Sequence, residues 1–149
     1  MEWLNSLRGS VVGLDTAPLI YFIEENPAYL NVVEPFFGAI DRNEFTVVTS
    51  IVTLLEVLVH PMRRGDQKLA HRYRDLLYNS QGLTTISLSQ EIAEEAARLR
   101  ATYKLLTPDA IQMATASKAA ASFFLTNDIR LPSLPGLQVL VLDKLKTGL

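Results

Sequence analysis

Four acidic residues carry the chemistry this sequence can offer. Asp15 closes the apolar run VVGLD, Glu56 interrupts IVTLLEVLV, Asp109 follows Pro108 at the head of the alanine-rich TPDAIQMATA, and Asp128 ends FLTND. Each has a plain structural reading. An aspartate after a strand caps the helix that follows it. One next to Pro108, with Thr107 as cap, suits the positive end of a helix dipole. Asn and Asp after a strand are ordinary turn residues. Glu56 is harder to place this way, because apolar side chains surround it in nearly every helical direction and the segment is expected to be buried on most sides. With Ser50, Thr53 and His60 it draws a narrow polar stripe, which alternatively is only the wet edge of the helix.

Taken together the acids predict more. Carboxylates brought within a few ångströms raise one another's pKa unless a positive charge joins them. The chain has no cysteine and only two histidines, His60 and His71, so the expected partner is a hard, oxygen-preferring cation, Mg²⁺ or Mn²⁺. Asp15, Glu56, Asp109 and Asp128 are then both the expected metal ligands and the expected catalytic residues. Phosphodiester hydrolysis is the chemistry such a site serves, one ion lowering the pKa of a water and a second, if present, steadying the leaving oxygen.

The elements that must position these acids alternate. VVGLD reads as a strand and TAPLIYFIEEN as a helix with Pro18 near its start. A helix over 28–41, bent or broken at Pro35, leads to the buried strand FTVV. SIVTLLEVLVH is a helix capped by Ser50, residues 64–80 a charged amphipathic helix, and LTTIS a strand. SQEIAEEAARLRATY and the TPDAIQMATA helix follow, then ASFFLTND and LQVLVLD as strands. This alternation predicts a three-layer α/β/α domain with a largely parallel sheet, and sites in such sheets lie at the carboxyl ends of the strands. Asp15 and Asp128 both belong there. Ala110, Ala114 and Ala121 would let their helix lie close to the sheet, although alanine is also the best helix former.

With 149 residues, 48% of them hydrophobic and 20% charged, the chain is expected to fold as one domain over 1–149, with a flexible tail after about Lys144. Fourteen basic against sixteen acidic residues give a net charge of −2, which excludes non-specific nucleic-acid binding by bulk charge. Any such contact is local, and the richest basic patch is PMRRGDQKLAHRYRD. Arg63 and Arg64 are its candidates for guiding RNA, against the alternative of a solvated helix face. The segment MEWLNSLRGS lacks the features of a secretory signal, and no apolar run reaches the roughly 18 residues of a membrane span. A soluble, cytoplasmic protein is expected. Tyr21, Phe22, Phe36 and Phe37 are core, or line a groove for a peptide or a second subunit.

GLDT with an apolar helix behind it, then TSIVTLLEVL, TPDAIQMATA and FLTND, in that order over nearly the whole chain, resemble the PIN-domain family, and within it the VapC-type toxins of toxin–antitoxin pairs. The resemblance implies a small α/β endoribonuclease whose acids gather around Mg²⁺ or Mn²⁺ at the carboxyl edge of the sheet. By motif, Asp15, Glu56, Asp109 and Asp128 match the family's four acids. Thr126 matches a hydroxyl often found beside the metal cluster, and Thr16 stands where the family often has threonine or serine, in a supporting position. Ala17 departs from the polar residue common there. The resemblance also implies a homodimer and a cognate antitoxin. Two rivals differ in their demands. A haloacid dehalogenase-type phosphatase wants a second acid where Ala17 stands, and a non-catalytic PIN-like RNA-binding or scaffold module has no need of all four acids.

Overall fold

The computed structural model describes residues 1–147. A single helical turn, α1 (Glu2–Asn5), precedes β1 (Val11–Leu14), α2 (Thr16–Ile23) and α3 (Leu30–Asp41). Next come β2 (Thr46–Ser50), α4 (Ile51–Arg64), α5 (Gln67–Asn79) and β3 (Leu83–Ile86). The chain continues through α6 (Gln90–Thr102), α7 (Thr107–Lys118), β4 (Phe123–Thr126), β5 (Gln138–Val141) and α8 (Leu142–Thr147). The strands form one sheet in the order β3-β2-β1-β4-β5, every neighbouring pair parallel. Parallel neighbours need crossovers, and the crossover helices bury both faces of the sheet. On one face Val12, Leu14 and Leu125 pack with α2, α3, α4 and α5, and on the other Phe124 packs with α6 and α7. The three-layer α/β/α architecture read from the sequence is the one found. The chain runs outward from β1 through β2 to β3, then returns to β1's other side for β4 and β5, so the strand order reverses between β1 and β4. Crevices of this kind form at such a reversal.

Gly13 sets how deep that crevice sits. A Cβ added to it would lie 2.5 Å from Ala116 Cβ and 2.8 Å from Phe124 Cδ1. Only the missing side chain lets α7 lie directly on β1, and the fully buried Ala110 and Ala114 continue the same close face.

Several boundaries differ from those read in the sequence. Helix α4 runs on to Arg64, where Gly65 in the left-handed region (φ 66°) ends it, and Asp66 then caps α5 through Leu69 N–H at 3.1 Å. Arg64, read as opening the next helix, therefore closes α4 together with Arg63. Helix α3 passes through Pro35 without a break. Thr107 is not the cap of α7 but its first residue, with its hydroxyl accepting from Arg100 Nη1 at 2.9 Å. The tail expected after Lys144 is helical to Thr147. Leu142 is fully buried, Leu145 packs on the core and Lys146 Nζ lies 4.4 Å from the Tyr29 ring centre, while residues 148 and 149 lie outside the described residues. Phe36 and Phe37 are core, with Phe22 stacked on Phe37 at 4.1 Å between ring centres.

Candidate active site

Asp15 leaves the end of β1 at the crevice. Its backbone N–H continues the ladder to Leu125 O at 2.9 Å. One carboxylate oxygen caps α2 by accepting from Thr16 N–H at 2.8 Å. The other accepts from Thr126 Oγ1 at 2.7 Å, across the seam between β1 and β4. Capping and site geometry are thus one arrangement, since the bond that satisfies the helix start also fixes the rotamer. Thr126, fully buried at the end of β4, also accepts from Asp128 N–H at 3.0 Å, so a single hydroxyl ties together the segments bearing two of the acids.

Glu56 enters from α4. It is exposed, which corrects the expectation of a glutamate buried on most sides. Only Thr53, Val57 and Pro61, one turn apart, are buried on this helix, and its apolar Leu55, Val59 and Met62 face outward. What holds Glu56 is Thr16, whose hydroxyl donates to Oε1 at 2.6 Å. Beneath lies a closed polar relay. Gln112 Nε2 donates to Thr53 Oγ1 at 2.6 Å, Thr53 and Thr49 share a 2.7 Å bond, and Thr49 Oγ1 donates to Leu14 O at 2.8 Å. Because the Thr49 hydrogen is committed to that carbonyl, Thr53 is the donor between the two hydroxyls. Gln112 Oε1 accepts from Ser50 N–H at 3.3 Å, and its amide nitrogen lies 3.4 Å from Thr16 Oγ1. Ser50 caps α4 through Val52 N–H at 3.0 Å, as its position predicts. The relay knits β1, β2, α4 and α7 under the acids.

Asp109 sits in the first turn of α7, half-buried. Burial pushes its carboxyl above the ordinary range, and repulsion from Asp128 and Glu56 adds to this. Asp15 is pushed up in the same way, chiefly by burial, with Asp109 and Glu56 adding to it and the Thr126 and Thr16 hydrogen bonds opposing. Asp128 goes the other way, because the hydrogen-bonded guanidinium of Arg130 holds it below the usual carboxylate range. The fold therefore couples Asp15 to Asp109 and Glu56, and Asp109 to Asp128 and Glu56. Among the described residues no three acidic or histidine side chains are grouped closely enough to form a ready-made ion cage. The donor set nonetheless fits a hard cation: oxygen donors only, two of them destabilised as anions by their surroundings.

Arg63 and Arg64 are not brought to the acids. They occupy the last turn of α4, Arg64 Nη1 lies 2.9 Å from His60 Nε2, and neither forms an ion pair with an acid among the described residues. Arg72 of the same basic patch is spent on the fold, donating to Ile23 O at the end of α2. Two residues of the site escape sequence reasoning. Gln112 shows only as an amide on an alanine-rich helix, three residues after Asp109. Arg130 stands in the motif TNDIR itself, two residues after the acid it clasps.

The PIN domain profile matches residues 12–137. The chain belongs to the PIN-domain family. Solved structures similar to this PIN domain include a toxin–antitoxin complex from Klebsiella pneumoniae, 27% identical over 86% of this chain and 95% of that one, with a TM-score of 0.65. VapBC2 from Rickettsia felis, bound to a DNA fragment from its promoter, is 18% identical over 88% and 98% of the two chains, with a TM-score of 0.69. The sarcin–ricin loop cleaving toxin VapC20 from Mycobacterium tuberculosis is 16% identical over 77% and 87%, with a TM-score of 0.62. No curated protein sequence matches at a significant level. The VapC-type resemblance seen in the four motifs agrees with these neighbours.

Proposed function

We propose that this PIN domain is a metal-dependent endoribonuclease that hydrolyses RNA phosphodiester bonds and serves as the toxin of a toxin–antitoxin pair. The observation that supports the reading is the electrostatic coupling of the four acids, Asp15 feeling Asp109 and Glu56, and Asp109 feeling Asp128 and Glu56, with Asp15 and Asp109 both held above the usual carboxylate range. Burial and mutual repulsion disfavour the charged forms of these two carboxylates, and a bound cation would offset that.

Asp15, Glu56, Asp109 and Asp128 would hold Mg²⁺ or Mn²⁺, which when bound supplies Lewis acidity and lowers the pKa of a water. The chain's own contribution is rigid placement. Thr126 and the start of α2 lock Asp15, and Thr16 over the Gln112–Thr53–Thr49 relay locks Glu56. The dipole of α7 favours a carboxylate at Asp109 and aims it toward the strand ends. Arg63 and Arg64 lie on α4 beyond Glu56, Arg64 about 12 Å along the helix axis by α-helix rise, a placement suited to guiding the RNA backbone toward the acids.

The antitoxin belongs to the same reading. Leu55 and Met62 of α4 are 65% and 58% exposed, and with Val59 they form an apolar stripe beside Glu56. A partner segment lying there would bury that stripe and cover the site, and two of the similar structures are toxin–antitoxin assemblies. A homodimer acting on cytoplasmic RNA completes the proposal. Among the described residues no helix is long and apolar enough to cross a membrane.

The deciding experiment incubates the purified, antitoxin-free chain with structured and single-stranded RNAs in EDTA, Mg²⁺ or Mn²⁺. Cleavage that requires the ion and vanishes in Asp15→Asn is the expected result. Ion-independent cleavage overturns the metal dependence, and binding without cleavage of any RNA favours the non-catalytic RNA-binding or scaffold module.

A further inference from the structure

The acids of the crevice are not all left alone. Arg130 clasps Asp128 with two parallel bonds, Nε to Oδ1 at 2.9 Å and Nη2 to Oδ2 at 2.8 Å, and its backbone N–H adds a third to Oδ1 at 2.9 Å. The two partners differ in exposure. Asp128's side chain is 23% exposed and that of Arg130 is 76% exposed. An exposed, long side chain held two residues from its partner can leave without disturbing the fold, whereas Asp128 is tethered by its backbone to Thr126. Arg130 also reaches beyond its partner, because its charge is felt at Asp109. With Lys104 it lines the shallow pocket in which Asp109 and Asp128 meet. This is the only cation that forms an ion pair with any of the four acids among the described residues.

Resting on the nuclease reading above, we propose that Arg130 is a dual-purpose residue of the site: it neutralises Asp128 while no divalent ion is bound, and it turns to a phosphate of the RNA substrate once the ion takes over that carboxylate. The physical argument is competition for the same oxygens. A bidentate guanidinium occupies the inward lone pairs of both Asp128 oxygens, so an ion drawing on that carboxylate must loosen the clasp. The released guanidinium then lies at the rim of a negatively charged crevice, repelled by the arriving cation. Its planar fork suits phosphate as well as carboxylate. The pair thus keeps the empty site from carrying four uncompensated charges and supplies a phosphate anchor only when the ion is in place.

Arg130→Ala therefore has two effects of opposite sign. Mn²⁺ binding, followed by the electron-spin-resonance signal of the free ion and without RNA present, tightens by about two- to five-fold, the range expected for removing an exposed ion pair. Binding of a fluorescent, phosphorothioate-substituted single-stranded RNA in the presence of Mn²⁺ weakens, and its dependence on log salt falls by about one unit. Arg130→Lys, which keeps the charge but not the fork, lies between the two, and equal urea midpoints show that the fold is intact. A variant that binds Mn²⁺ no better than the parent removes the clasp from the account, and unchanged RNA affinity removes the phosphate anchor. If the parent chain itself binds no Mn²⁺, or binds it equally in Asp15→Asn, the site reading falls and this proposal with it. Parent binding that depends on Asp15, with no gain in Arg130→Ala, overturns the role of Arg130 alone.

Discussion

Gly13→Ala tests whether the close seating of α7 on β1 is what makes the site. Carbon atoms in contact settle at about 3.5–4.0 Å. The new methyl would start 2.5 Å from Ala116 Cβ and 2.8 Å from Phe124 Cδ1. Strand and helix must therefore part by roughly 1 Å, since neither neighbour offers a flexible end to swing aside. Overpacking of this kind costs about 1–3 kcal/mol, read as a fall in the urea midpoint at constant slope. The functional consequence is separate. Asp109 and Gln112 ride on α7, so the same shift moves one acid away from Asp15 and strains the relay under Glu56. Misplacement by about 1 Å costs on the order of 10²-fold in rate. RNA cleavage at saturating Mn²⁺ should drop by about that factor under conditions where circular dichroism still shows a folded chain. Ala116→Gly added to Gly13→Ala relieves the shorter contact and leaves the Phe124 one, so it should recover part of the activity, even though glycine within a helix costs about 1 kcal/mol of its own. A Gly13→Ala protein with parental midpoint and parental activity would refute the reasoning, because β1 and α7 would then have slack that the geometry denies.

Three further outcomes follow from the same structure. Thr53→Val removes the middle hydroxyl of the buried relay and leaves Gln112 and Thr49 each short of a partner, at a cost of about 1–3 kcal/mol by urea unfolding; RNA cleavage should fall as well, through loss of the support under Thr16 and Glu56. For Asp109 the folded chain binds its proton more tightly than the unfolded chain does, because burial and the neighbouring acids push its carboxyl up. That contribution to stability is full below the ordinary value of 3.8 and is lost as pH rises through the raised one. In EDTA, thermal melts from pH 4 to 7 should therefore show Asp109→Asn gaining on the parent as pH rises. Mn²⁺ should erase the difference by stabilising the parent, and a gap that is constant with pH would contradict the sign. Ser50→Ala should cost about 1 kcal/mol in urea unfolding through the lost cap on Val52 N–H; an unchanged midpoint would contradict the stabilising role of the cap.

The parallel sheet was legible because β-branched runs, each followed by a helical pattern, admit few other arrangements. Asp15 and Asp128 follow the carboxyl ends of the neighbouring strands β1 and β4 for the same reason. Glu56 was expected to be buried on most sides, and it is exposed. Hydropathy alone says that Leu55, Val59 and Met62 want to be buried, and it does not say whether the chain's own core or another surface buries them. The α4 to α5 boundary was missed because Arg63 and Arg64 suit either the end of one helix or the start of the next, and only the left-handed Gly65 decides between them. Gln112 and Arg130 were out of reach in a different way. Their partners are fixed by side-chain direction after the sheet has closed, and nothing in TPDAIQMATA or TNDIR distinguishes an amide or guanidinium that turns inward from one that meets water.

For the acids themselves, the choice between a local structural reading and a functional one dissolves once the bonds are traced. Asp15 does cap α2, and it is the cap that fixes which way its second oxygen faces, toward Thr126 and the crevice. Asp109 does complement the start of α7, and the same helix, seated on Gly13, carries it to the strand ends. A site made this way draws its rigidity from interactions the fold needs anyway. Removing a carboxylate should therefore have an effect that depends on what else it holds. Loss of charge at Asp109 relieves the metal-free fold, whereas Asp15→Ala removes a cap and leaves the Thr126 hydroxyl without its acceptor, and so should destabilise even with no metal present.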